Sequence, residues 1–384
     1  LFTRYIRIKI FLLVSLGFVP QDGAGQSGYI AFLGDSITTG AVSHEALSFS
    51  KSKLWNVFRG RTSVKPSLVR YKTEVGDDIP SFDTPIRLNP TTSEFFGPTS
   101  WVGLHLLNTW SQVYIDTEEY SWAYILSRRL GYPADKMLFA AQDGAKMAAG
   151  VRQAQRVLNY TGDVVPDKIF IFFTGNDLCG PGIDFMTPIE DFSQQLDNTV
   201  RLFLANGTII GDQGVDIYVV GGLGVIQLIQ SDAVLGKYVS AREKVMTCKE
   251  LLADSTSKEM NSKEKEYITK NPDSSLFFTM FPSSPAPWCP TLFSKNIGAT
   301  DDQPQRLANR IRSYRKAASD TVANLSKTIK DSHQSNVRLH FLNSGRLLTF
   351  AADDIAEDCF HLSLQGQAKV ANSLQKEMQN ESKH

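Results

Sequence analysis

Three short segments of this sequence hold side chains that could together perform one piece of chemistry: Gly34-Asp35-Ser36, Gly175-Asn176-Asp177 and Asp358-Cys359-Phe360-His361. A serine hydroxyl is a weak nucleophile until a base takes its proton. His361 is the candidate base, because imidazole titrates near the working pH. Asp358 stands three residues before it. Across a turn, that spacing lets the carboxylate hold the far ring nitrogen and fix its tautomer. His44, His105, His333, His340 and His384 have less supportive neighbourhoods. Asn176 could aim its amide at the oxyanion of a tetrahedral intermediate, where losing one donor costs about 2.7–4 kcal/mol of barrier. Gly144, within Gln142-Asp143-Gly144-Ala145, offers a backbone N–H that a ligand can approach closely. The set suits ester hydrolysis through an acyl-enzyme. Each member also has a plainer reading: Ser36 as a helix cap, His361 as a polar surface residue, Asn176 and Gly144 as turn residues.

These residues need elements to hold them at one place. Short apolar runs predict five strands: Tyr29 to Leu33, Met137 to Ala141, Lys168 to Phe173, Asp216 to Val220 and Val337 to Phe341. The third is continuously apolar from Ile169 to Phe173, as in a strand covered on both faces. Helical patterns span Ser121 to Leu130, Lys146 to Leu158, Ile189 to Ala205, Gln305 to Lys330 and Leu364 to Met378. Strand–helix alternation argues for an α/β fold with a parallel sheet and helices on both faces. In such sheets ligands bind beyond the carboxyl ends of the strands. Ser36 follows the first strand, Asn176 the third, and His361 precedes the last helix. Two stretches, 41–119 and 225–304, break the alternation and read as insertions over the active face.

Net charge is zero at 384 residues, which speaks against a nucleic-acid binder. Arg4, Arg7 and Lys9, an apolar run from Ile10 to Val19 and small residues at Gly23, Ala24 and Gly25 read as a secretory signal peptide over residues 1–25. A membrane-anchoring first helix is the alternative. Residues 26–380 then form a single domain. Four cysteines, Cys179, Cys248, Cys289 and Cys359, suit two disulfides in any of three connectivities. No C-x-x-C pair suggests structural zinc. Sequons at Asn159, Asn206, Asn324 and Asn380 would be glycosylation sites in a secreted chain. The chain lacks Gly-x-Ser-x-Gly. Its Gly221-Gly222-Leu223-Gly224 has no following Lys-Ser/Thr and reads as a turn after the fourth strand. Trp55, Phe95, Phe96, Trp101, Trp110 and Trp288 could line an acyl or sugar groove, though core packing accounts for any one of them.

Leu33-Gly34-Asp35-Ser36-Ile37-Thr38-Thr39-Gly40 resembles the first block of the SGNH, or GDSL, hydrolase family. Gly144 is similar to the glycine of the second block, Gly175-Asn176-Asp177 to the third, and Asp358-x-x-His361 to the last. The blocks occur in the family's order. The resemblance implies a flavodoxin-like three-layer α/β/α sandwich with a mainly parallel five-stranded sheet. It implies ester hydrolysis without metal or other cofactor. Ser36 would be the nucleophile, His361 the base and Asp358 its orienting partner. The oxyanion donors would be Ser36 N–H, Gly144 N–H and the Asn176 side chain. Phe173 to Cys179 and Asp358 to His361 are similar to segments of the phospholipase B and acyloxyacyl hydrolase branch, and the pair Cys248 and Cys289 resembles that branch too. Residues 1–28 hold no cysteine and so do not resemble the saposin-like leader of acyloxyacyl hydrolase, and the cysteine spacing also departs from that branch. The branch implies lipid acyl esters as substrate, transient contact with a membrane surface and a Cys248–Cys289 bridge. A carbohydrate O-acetyl esterase and a non-catalytic lipid or glycan binder on the same scaffold are the other readings. Oligomeric state is not legible.

Overall fold

The computed structural model describes residues 28–40, 121–133, 136–142, 144–180, 182–209, 214–241, 244–253, 289–293, 302–331, 336–356 and 358–381. The signal-peptide segment and the first insertion lie outside the described residues, as do all six groove aromatics named above. Seven strands are described: β1 Ile30–Gly34, β2 Met137–Phe139, β3 Lys168–Phe172, β4 Val215–Val220, β5 Tyr238–Ala241, β6 Lys244–Thr247 and β7 Val337–Leu342. Five of them form one parallel sheet in the order β2-β1-β3-β4-β7. The expected parallel sheet is therefore present, with β1 and β3 inside it and wholly or nearly wholly buried. β5 and β6 pair antiparallel as a hairpin within the second insertion, a feature not anticipated from the sequence.

The helices are α1 Ser36–Thr39, α2 Trp122–Arg129, α3 Gly150–Thr161, α4 Ile189–Asn206, α5 Cys248–Ala253, α6 Gln303–Asp331 and α7 Leu364–Glu381, with two single-turn helices, Gln227–Gln230 and Asp232–Leu235, between β4 and β5. α3, α4 and α6 pack side by side over one face of the sheet, while α2 and α7 pair on the other. Ser121 starts α2 by accepting a hydrogen bond from Tyr124 N–H. Gly131, at φ 84°, ends that segment, as its glycine predicts. The expected helix from Lys146 begins later. Met147–Ala149 form a 3-10 turn first, and the Met147 N–H, a donor that a helix start leaves without an intrahelical acceptor, is met by the Asp177 carboxylate.

A row of rings crosses the whole sheet on the α2 and α7 face. Phe139, Phe32, Phe170, Tyr218 and His340 are register partners on successive strands, stacked with centroids 4.6–5.4 Å apart. Trp122 of α2 closes edge-on over Phe32 and Phe170. Offset ring pairs of this kind add about 0.5–1.5 kcal/mol each beyond the area they bury. At the amino-terminal end of the strands, Asp216 accepts from Lys168, Arg338 and His340. Burial opposes its charge, but those three donors hold the carboxyl well below the usual carboxylate range. His340 is thus committed to Asp216 and Glu381 on the sheet face.

Gly34 ends β1 where no side chain fits. A Cβ there would stand 2.4 Å from Thr38 Oγ1 and 2.5 Å from the Phe172 carbonyl oxygen. The missing side chain lets α1 fold straight back over the strand. Gly34→Ala is expected to destabilise by about 1–3 kcal/mol, the usual cost of forcing atoms into a filled core. Denaturant unfolding checks this, and an unchanged midpoint would refute it.

Candidate active site

The strand order decides which loops meet. β1 lies between β2 and β3, so the loops after these three strands stand side by side at the carboxyl edge. Those loops carry Gly144, Ser36 and Asn176. Ser36 opens α1, but the capping role belongs to Asp35, whose Oδ1 accepts from Ile37 N–H at 3.0 Å. Its hydroxyl lies 2.9 Å from His361 Nε2, across 325 residues of sequence. His361 Nδ1 lies 2.5 Å from Asp358 Oδ2. The other Asp358 oxygen accepts from the N–H groups of Phe360 and His361 at 3.0 and 2.9 Å. Burial works against charge on Asp358, yet the His361 ring and these bonds hold its carboxyl below the ordinary value. A carboxylate kept ionised beside Nδ1 steadies the tautomer in which Nε2 is the proton acceptor.

The loop carrying this pair is tightly folded. Ala356 N–H donates to the His361 carbonyl, Cys359 N–H to that of Ala356, and Ser363 N–H to that of Asp354. Cys359 sits at φ 61°, in the left-handed region. Lys237 donates to the Ile355 carbonyl and fastens the loop from outside.

Asn176 is 6% exposed, in a 3-10 turn after β3. It donates one amide hydrogen to the Ala145 carbonyl at 3.2 Å, which leaves the other hydrogen of the amide for a ligand. Gly144 has φ 75°, a conformation that favours glycine. No described residue accepts from the Gly144 N–H. The structure thus brings Ser36, His361 and Asp358 into one hydrogen-bonded chain, and ties Asn176 to the Gly144 loop.

Asp177, next to Asn176, has both carboxylate oxygens on the Met147 N–H, at 3.1 and 3.3 Å. Its full burial raises the carboxyl to about 6, against the pull of Thr187, Lys146 and the Met147 N–H. A raised acid is favoured in its neutral form in the folded state. Its ionisation therefore removes stability as pH rises from the ordinary Asp value of about 4 to about 6, a shift of about two units and on the order of 3 kcal/mol.

The expected Cys248–Cys289 bridge does not form. Cys179 pairs with Cys289 and Cys248 with Cys359, at Cα separations of 4.4 and 5.5 Å. Each cysteine of the second insertion is thus joined to a loop of the candidate site rather than to its fellow. Thr291 reinforces the first junction by donating to the Leu178 carbonyl and pairing with Gly180. Phe293 packs edge-on against Phe360, and Phe360 against the His361 ring.

Two buried glutamines were not foreseen. Gln153 of α3 accepts from Gly34 N–H at 2.8 Å and donates to its carbonyl at 2.9 Å. Gln367 of α7 accepts from Trp122 N–H and donates to the Ile37 carbonyl. Each sits on the apolar stripe of its helix, between Gly150 and Val157 or between Leu364 and Ala371. A polar residue on such a stripe signals a buried group that must be hydrogen-bonded.

The sequence pattern of the GDSL-like lipase/acylhydrolase family matches residues 30–374. No curated protein matches the chain. A solved crystal structure aligns over 92% of this chain and 97% of its own, at 10% identity and a TM-score of 0.40, a likeness too slight to carry an argument. Among the described residues no helix is long and apolar enough to cross a membrane.

Proposed function

Because the chain belongs to the GDSL-like lipase/acylhydrolase family, and so hydrolyses esters, we propose that it is a secreted serine esterase acting on acyl esters of lipids. One observation carries the mechanism: the continuous chain from Ser36 Oγ through His361 to Asp358. Ser36 attacks the ester carbonyl while His361 Nε2 takes its proton. The tetrahedral oxyanion is met by the N–H groups of Ser36 and Gly144 and by the Asn176 amide. His361 then protonates the departing alcohol. Water repeats the sequence on the acyl-enzyme, releasing the acid and restoring Ser36.

The lipid assignment is supported by the likeness of Phe173 to Cys179 and Asp358 to His361 to the phospholipase B and acyloxyacyl hydrolase branch. The signal-peptide pattern before residue 26 and the two disulfides support secretion, since such bonds persist in oxidising compartments. In this reading residues 26–380 form a single hydrolase domain. Chain-length dependence on p-nitrophenyl esters is the test. A lipid enzyme is expected to gain roughly ten-fold or more in kcat/KM from acetyl to octanoyl, because each buried methylene adds binding. A preference for acetyl would move the assignment to carbohydrate O-acetyl esters.

A further inference from the structure

Asp177 does no chemistry in the scheme above, yet it is a fully buried acid whose ionisation costs stability at neutral pH. Such a cost in a fold calls for a local return. Its surroundings indicate where that return lies. Asn176 and Asp177 are consecutive, and both side chains close on one stretch of backbone: Asn176 on the Ala145 carbonyl and Asp177 on the Met147 N–H. That stretch begins one residue after Gly144. The backbone of Asp177 is fixed in turn, since its carbonyl accepts from Tyr314 Oη and from Thr187 N–H.

We infer that Asp177 is a positioning residue: with Asn176 it clamps residues 145–147 so that the Gly144 N–H faces the oxyanion. The inference rests on the reading of Ser36 as nucleophile and deepens it. An ionised acceptor holds an N–H about twice as strongly as a neutral one. The clamp is therefore firm when Asp177 is charged and loose when it is protonated. The groups facing it are Lys146 from its partner loop, Thr187 ahead of α4, and Tyr314 of α6 with Arg310 beyond. Lys146 is the nearby cation that favours the charged form.

The test compares wild type with Asp177→Asn in the full chain, on a p-nitrophenyl ester from pH 5 to 8, with thermal unfolding at each pH. Asparagine keeps the shape and can still accept weakly, so the variant should fold. Its kcat is expected to fall roughly ten- to a hundred-fold, somewhat less than loss of a whole oxyanion donor. KM should stay within about two-fold, as for an interaction felt in the transition state. Its melting temperature at pH 7 should equal or exceed that of wild type. A role in stability alone cannot lower kcat while sparing the fold. The acid limb of log kcat/KM should approach slope two in wild type, one proton for the base and one for Asp177, and slope one in the variant.

Wild-type kcat in a folded variant, or an acid limb of the same slope in both proteins, would overturn the clamp while leaving Ser36 untouched. Failure of an organophosphonate to label Ser36 in wild type would instead remove the reading beneath it. Should the variant not fold, the Met147 amide resonance in wild type decides. It should shift with the midpoint of the second proton, and a resonance insensitive to pH would refute the clamp.

Discussion

Ser36→Ala is expected to lower kcat/KM on an activated ester by about 10⁴-fold or more, with little change in melting temperature. The local structure makes this a clean substitution. Asp35, not Ser36, caps α1, so alanine removes no cap. The Ser36 carbonyl still receives the Thr39 hydroxyl and the Gly40 N–H. What disappears is the oxygen 2.9 Å from His361 Nε2. His361→Ala should cost a similar factor, since an unactivated hydroxyl is a poor nucleophile. Groups that act as a unit are not additive, so the double variant should be little worse than either single one. Phosphonate labelling should vanish in Ser36→Ala. Activity within ten-fold of wild type, or labelling that survives the substitution, would exclude Ser36 as nucleophile.

What the sequence made legible follows from where constraints are local. The run Ile169 to Phe173 announces a strand covered on both faces, and β3 is the central strand of the sheet. Ser36, Asn176 and His361 could each be placed at strand or helix ends from turn chemistry alone. Their meeting could not: Ser36 and Asn176 become neighbours because β1 and β3 pair, and His361 reaches Ser36 from the segment after β7, at the far edge of the sheet. The cysteines show the same limit. Cys248 and Cys289 lie in one insertion and so invite each other, but partnership depends on which loops the sheet edge brings near. Gly175-Asn176-Asp177 has the composition of a tight turn, which gives Asp177 no further role on sequence alone. Its role emerges only from the arrival of Met147 N–H from another loop.

Removing the Cys248–Cys359 bridge by the paired change to alanine should cost both stability and turnover. Loss of a native disulfide typically costs 2–5 kcal/mol, much of it from the larger freedom of the unfolded chain. The two bridges make an internal control. They span 110 and 111 residues, so their effects on the unfolded chain are nearly equal. Their melting temperatures should therefore fall by similar amounts when either is removed. Their effects on kcat should differ, because their places in the native fold differ. Cys359 lies between Asp358 and His361, held at φ 61°, a conformation that costs a non-glycine residue about 1–2 kcal/mol. Freed from Cys248, residue 359 can relax toward negative φ and turn the Asp358 carboxylate away from Nδ1. Cys179 lies outside the Asn176–Leu178 turn, which keeps its own ties through Ala145, Met147 and Tyr314. Loss of Cys248–Cys359 should lower kcat about ten-fold more than loss of Cys179–Cys289, the worth of roughly 1.4 kcal/mol of misplacement at the base. Equal kcat in the two variants, at equal melting temperatures, would mean that the loop holding His361 keeps its shape without its covalent tie.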